Sequence, residues 1–117
     1  MGKSIFLKLF GESPINKVLD FLIIFDSFDY SMIDISEKAE VGYTTLKSLL
    51  PELVKRKILV ITRISGKSKM YGLNKENEIV KRFVEFYWSV TNMVVEKKLG
   101  LKPQKEIEQK QPVIQKV

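Results

Sequence analysis

The sequence predicts an α+β fold, mostly α, in which helices surround one two-stranded hairpin and a long helix follows it. Three observations carry that expectation. Apolar residues recur at helical spacing over Ile15 to Ile23, Leu46 to Leu53 and Ile79 to Val94. Two runs rich in β-branched residues, "ILVITRI" and "KMYGL", are joined by the short polar connector "SGKS". At 117 residues the chain has room for one domain with a single modest core.

Ser13-Pro14 begins the first clear helix. It offers a hydroxyl at the cap and then a proline whose missing N–H costs nothing at the first helical position. Ile15, Val18, Leu19, Leu22 and Ile23 carry that helix to about Phe28. Before it, "KSIFLKLFG" fits two readings. Ile5 with Leu9, and Phe6 with Phe10, would stack on a helix that Gly11 ends, whereas Ile5, Leu7 and Leu9 would equally line one face of a strand; the helix is preferred. "FDYSM" reads as a loop or short strand, followed by a short helix from about Ile33 to Ala39, a turn at Val41-Gly42 and a longer helix from about Tyr43 to Lys57. The hairpin comes next, then a helical pattern from about Lys75 to Leu99. Beyond Gly100 the segment "LKPQKEIEQKQPVIQKV", with two prolines, four glutamines and four lysines, is expected to be a mobile tail.

Composition excludes much chemistry. Cysteine and histidine are both absent, which removes disulfides, thiol nucleophiles, thiolate or imidazole metal sites and histidine acid–base catalysis. The carboxylates are scattered, with no glycine-rich phosphate loop or paired-acid motif to organise them, so neither an enzyme nor a metal site nor a cofactor is expected. No apolar run approaches the ~18 residues of a membrane span. No secretory signal is visible either, and a cytoplasmic location is expected.

The net charge of +6 is unevenly spread. From Glu12 to Glu40 seven acids face two bases, a balance of −5; from Val41 to Lys75 eight bases face Glu52 alone, a balance of +7. A polyanion would meet the second stretch and not the first. A solvated lysine-rich face is the plainer reading of such a run, so the case rests on where those bases sit.

The element order, and above all "DISEKAEVGYTTLKSLLPELVKRKILV", resembles a winged helix-turn-helix domain. The motif's places are filled by Asp34-Ile35-Ser36, the turn Glu40-Val41-Gly42, Thr44-Thr45-Leu46, Leu50, Leu53 and Lys55 to Leu59. The resemblance covers roughly Ser13 to Leu73. In style it is closest to small archaeal-type transcriptional regulators. Three positions depart from the pattern: Ser36 and Glu40 stand where small residues are usual, and Lys57 where a glycine often follows the recognition helix.

Turning the second helix of the motif by about 100° per residue puts Leu46, Leu49, Leu50 and Leu53 on one face, which must be the core side. Thr44, Ser48 and Lys55 point the opposite way, flanked by Lys47 and Pro51. Proline inside a helix costs roughly 3 kcal/mol. Here it lies on the solvent side, removes one hydrogen bond to the Lys47 carbonyl and leaves the helix standing. The resemblance then implies roles. Tyr43, Thr44, Thr45, Lys47 and Ser48 would meet base edges and adjacent phosphates, the alternative for Thr44 and Thr45 being N-terminal capping. Lys55, Arg56 and Lys57 would clamp the DNA backbone, or simply supply the cationic finish a helix C-terminus favours. Arg63, Ser65, Lys67, Ser68 and Lys69 would form a wing on the minor groove or flanking phosphates, or a plain soluble hairpin.

On the last helix Ile79, Val80, Phe83, Tyr87, Val90 and Val94 form one stripe, while Val84, Trp88 and Val95 fall off it. So wide an apolar share predicts a homodimer interface through Phe83, Tyr87, Trp88, Val90 and Val94, possible helpers being Phe6 and Phe10. The alternative buries this helix within one protomer, with Trp88 as ordinary core. The chain is thus expected to divide into an N-terminal segment (1–12), a winged helix-turn-helix (13–74), a dimerisation helix (75–99) and the tail (100–117). Its expected role is a sequence-specific double-stranded DNA-binding protein, a dimeric transcriptional regulator and a repressor rather than an activator. The alternatives are a winged helix used for protein contact, and a DNA partition or architectural protein.

Overall fold

The structure, a computed structural model, describes residues 3–99. The expected tail lies outside the described residues.

The N-terminal segment is a helix, α1 (Ile5–Phe10). Ser4 caps it by accepting from the Leu7 N–H at 3.1 Å, and Gly11, at φ 94°, ends it. Helix α2 (Pro14–Ile24) starts as its sequence requires, with Ser13 Oγ accepting from Asn16 N–H and Pro14 in the first turn. It stops four residues short of the expected end. The turn that follows uses Asp26 and Asp29 to hold bases from distant parts of the chain, a demand helical spacing does not reveal.

Strand β1 (Tyr30–Ser31) is two residues long and leads directly into α3 (Met32–Ala39). Ser31 caps α3 in a reciprocal box: its Oγ accepts from Asp34 N–H, and its own N–H donates to the Asp34 carboxylate. Helix α4 (Tyr43–Lys55) runs unbroken through Pro51. Strands β2 (Leu59–Ser65) and β3 (Ser68–Leu73) form the hairpin, and α5 (Glu78–Leu99) closes the described chain. Helix α5 begins three residues later than expected because Asn77 caps it, accepting from Ile79 N–H at 2.9 Å.

The expected two-stranded wing is part of a three-stranded antiparallel sheet in the order β1-β3-β2. Tyr30 pairs with Tyr71 and Ser31 with Met70, on the edge opposite β2. A bulge at Thr62 shifts the β2/β3 register between Ile61 and Arg63, and Ser65 faces Ser68 across a two-residue turn, with Gly66 at φ 62°.

Two of the three residues that depart from the winged-helix pattern mark where the backbone is strained. Glu40 and Lys57 are the two non-glycine residues at positive φ among those described, at 59° and 67°. This left-handed conformation costs roughly 1–2 kcal/mol for a side-chain-bearing residue. Lys57 is held there because its carbonyl accepts from Asn74 Nδ2 and Asn77 Nδ2, at 3.0 and 2.8 Å. Glu40 is held similarly, by Lys17 Nζ on its carbonyl at 3.1 Å.

Leu46, Leu50 and Leu53 are completely buried and join Val18, Leu22, Ile35 and Leu59 in the core, while Leu49 is half-buried against it. One polar joint lies inside this apolar body. Asp20, 8% exposed, accepts from Ser4 Oγ and Tyr87 Oη, both at 2.6 Å, and so ties α1 and α5 to α2. Burial first, and the Asp20 hydrogen bond second, push the Tyr87 hydroxyl well above the usual tyrosine range. None of the described helices is long and apolar enough to cross a membrane.

Candidate nucleic-acid interface

The turn before α4 is fixed by buried contacts. Ser36 Oγ donates to the Val41 carbonyl at 2.6 Å, and the Val41 side chain is itself buried. Gly42 then stands at the N-cap of α4, where no side chain caps the helix. The capping alternative for Thr44 and Thr45 is therefore not realised; both are exposed, and the first-turn N–H groups face outward without a side-chain acceptor. Such a helix start suits an anion. Ser48 is exposed as well, and its hydroxyl donates back to the Thr45 carbonyl at 3.1 Å, leaving it as an acceptor toward any ligand.

Residues 43, 47 and 51, four apart, lie on the flank of α4 that faces the hairpin. Tyr43, Lys47 and Pro51 form one wall of an open groove of about 360 Å³; Lys67, Ser68 and Lys69 form the other. The Lys47 ammonium sits 5.9 Å from the centroid of the Tyr43 ring, which steadies the lysine over an aromatic face. Among the described residues Lys47, Lys67 and Lys69 make no ion pair. Three cations from two separate elements thus converge on one groove with no internal counter-charge. Burial, and then the neighbouring Tyr43, raise the Tyr71 hydroxyl above its ordinary value at the groove's base.

Arg63 does not join them. Its guanidinium grips Asp29 through two hydrogen bonds, Nε to Oδ2 at 3.0 Å and Nη2 to Oδ1 at 3.1 Å, and Thr62 donates to the same carboxylate. Those donors, Thr62 first and Arg63 next, hold the Asp29 carboxyl below its usual range. Asp29 and Thr62 line a second hollow with Leu22, Phe28 and Val60, on the sheet face to which Gly72 rather than Tyr71 belongs. Ser65 is exposed at the last pair before the turn. At the far end of α4, Arg56 lies 3.7 Å from the Glu52 carboxylate, whereas Lys55 and Lys57 are exposed without an ion-pair partner among the described residues.

The sequence reading missed the groove's third side. Met32 and Ile33, from the first turn of α3, line it, and Ile33 is 56% exposed. The capping box at Ser31 and Asp34 was the available signal, because it places residue 33 on the outside of a helix start.

The surface expected between two protomers needs a correction. Tyr87, 2% exposed and held by Asp20, belongs to the protomer's own core. Phe83 is half-buried edge-on to Phe6, at 5.7 Å between ring centroids. Val90 and Val94 are half-buried, and Trp88 packs on Tyr87 at 5.0 Å with its outer side open to solvent. Phe10 and Phe86, 51% and 45% exposed, meet edge to face at 5.7 Å between ring centroids and make an exposed aromatic pair on this side.

No protein-family model matches this sequence, and no curated protein matches it. Two solved structures do resemble it. One is MepR, a transcription regulator of the Staphylococcus aureus multidrug efflux pump MepA, 19% identical with a TM-score of 0.56, the match covering 85% of this chain and 71% of that one. The other is a mutant of MepR from a multidrug-resistant S. aureus clinical isolate, also 19% identical, with a TM-score of 0.52 and coverage of 85% and 70%. At that identity the likeness establishes architecture: the chain has an α+β, mostly helical, winged-helix fold.

Proposed function

We propose that the protein binds double-stranded DNA in a sequence-specific manner and acts as a dimeric transcriptional regulator, a repressor in the style of the small archaeal-type regulators. The observation that carries this reading is the convergence of Lys47, Lys67 and Lys69, which make no ion pair among the described residues, on the groove beside a helix start with no side-chain cap and with exposed hydroxyls. A recognition helix needs that arrangement, because short polar side chains near its N-terminus reach base edges while flanking cations hold phosphates. The likeness to MepR, a transcription regulator, supports the same direction.

In this reading residues 13–74 contact DNA and 75–99 pair two copies, working inside the cell without cofactor or metal. The exposed Phe10–Phe86 pair, with Phe83, Val90 and Val94 on the same side of α5, supplies the apolar surface for pairing, and Trp88 adds to it from the opposite flank of that helix. Two recognition helices would then address half-sites about one turn, roughly 34 Å, apart. A small dimer that covers two half-sites blocks a promoter by occupancy alone.

The test is selection of duplexes from a random DNA pool, sequenced after washing at two salt concentrations. Enrichment of an inverted repeat with half-sites about one helical turn apart is expected. Retention without an enriched sequence would favour a partition or architectural role. Absence of retention at low salt would leave a winged helix for protein contact, a reading the 73% exposure of Phe28 behind the sheet would then favour.

A further inference from the structure

Helix α5 meets the rest of the protein at few fixed points. Asn77, which caps it, donates from Nδ2 to the Lys57 carbonyl at 2.8 Å, so the helix begins on the end of α4. Among the described residues, Val80 and Tyr87 are its apolar side chains buried in the core. Among those same residues, one hydrogen bond and no ion pair joins α5 to an earlier helix or strand. It runs from Tyr87 Oη to Asp20 of α2, at 2.6 Å. Elsewhere on this side the contacts are apolar, among them Phe6 on Phe83 and Tyr87, and Phe10 on Phe86. Ring contacts hold a helix close but let it tilt, whereas a short bond to a carboxylate fixes distance and direction together.

The acceptor is itself held. Asp20 is nearly buried, and the same Oδ1 accepts from Ser4 Oγ, which also caps α1 by accepting from the Leu7 N–H. Helix α2 shares one core with α3 and α4 through Val18, Leu22, Ile35, Leu46 and Leu50. Burial, and then Asp20, raise the Tyr87 hydroxyl far above its usual range, so it keeps its proton and stays a donor at neutral pH. Along the helix Tyr87 lies about 15 Å from Asn77, and Leu99 about 18 Å farther. A displacement at Tyr87 that pivots on the Asn77 end therefore roughly doubles at Leu99.

We propose that the Tyr87–Asp20 bond is the joint that sets the angle between the pairing helix and the DNA-reading body, and so fixes the separation of the two recognition helices in the dimer. Tyr87 and Asp20 are positioning residues: both are buried, and their effect reaches DNA through α4. The inference rests on the dimeric DNA-binding reading above and adds what determines the half-site spacing that the dimer accepts.

The experiment measures that separation without DNA. The chain has no cysteine, so a single Ser48→Cys in the full chain carries one spin label on the α4 of each copy. Pulsed dipolar EPR should give one narrow distance for the otherwise unchanged protein. Tyr87→Phe keeps the ring and removes the donor; it should remain a dimer by sedimentation and show a distribution at least about twice as wide. Asp20→Ala removes the acceptor instead and should broaden it as well. Ile35→Val weakens the same core away from the joint, and should melt lower with the distance still narrow. On duplexes whose half-sites are moved apart by about one to five base pairs, unlabelled Tyr87→Phe should lose less than about threefold where the parent loses on the order of tenfold. Its affinity for a single half-site should not change. Distances as narrow in Tyr87→Phe and Asp20→Ala as in the parent overturn the inference while leaving the dimer intact. So does equal broadening in Ile35→Val, which would make the bond a source of stability only. A monomer by sedimentation overturns the pairing reading and the inference with it. Distances that broaden as expected, with no duplex bound at low salt, would sink DNA binding alone and leave the joint in place.

Discussion

The two faces of the small sheet treat their cations in opposite ways. On the α4 side, Lys47, Lys67 and Lys69 stand around a groove without a carboxylate partner among the described residues. On the other side, Arg63 is gripped by Asp29, and Lys75 lies 3.6 Å from Asp26 while donating to the Asp26 carbonyl. All five bases come from the same basic stretch of sequence. Folding returns two acids of the acidic first third to the back of the sheet and none to the groove, so a charge run in sequence becomes a charged site on one face only. Unpaired cations in a concave surface keep their attraction for a polyanion, whereas a bidentate Arg–carboxylate pair has already used its directional donors.

Removing the groove's cations should show the largest effect. The combined Lys47→Gln, Lys67→Gln and Lys69→Gln variant should lower the slope of log affinity against log salt by about 3 and weaken binding on the order of 100-fold at moderate salt. Its thermal melting should stay within about 0.5 kcal/mol of the parent, as surface substitutions do. The back of the sheet should respond in the reverse sense. Arg63→Gln should leave DNA affinity and salt slope unchanged and lower the melting temperature slightly, through loss of an exposed pair.

The same pair predicts a pH effect. Asp29 has its folded-state value lowered from the ordinary 3.8, so its contribution is complete above that value and is lost as pH falls below it through the lowered one. The Arg63 Nε–H signal, followed by NMR in the free protein, should therefore hold its position at neutral pH and move only below about pH 4. Movement near pH 6 would contradict the pairing. The smallest change concerns the backbone. Lys57→Gly should raise stability by up to about 1 kcal/mol in a chemical denaturation experiment, because glycine adopts a φ of 67° without strain.

Local signals were readable and distant ones were not. Ser13-Pro14, the leucine spacing of α4 and the hairpin with Gly66 depend on neighbours in sequence, and each lies where those residues indicate. The end of α2, strand β1 and the fate of Arg63 depend on Asp26, Asp29 and Tyr30 meeting residues more than thirty positions away. Periodicity carries no information about such partners. Tyr87 illustrates the same limit, since an apolar stripe shows that a residue is buried but not by which chain. Lys57 is the converse case: a departure from a pattern pointed to a real backbone constraint, which Asn74 and Asn77 meet from outside the motif.

In the proposed mode of binding, DNA enters the groove between α4 and the wing and leaves the back of the sheet free. An NMR titration of the 15N-labelled protein with a duplex from the selection tests it most directly. Large amide shifts are expected at Ile33, Tyr43 to Ser48 and Gly66 to Lys69, with Asp29, Thr62 and Arg63 nearly unmoved. Shifts centred on Asp29, Phe28 and Arg63, with the groove silent, would contradict it.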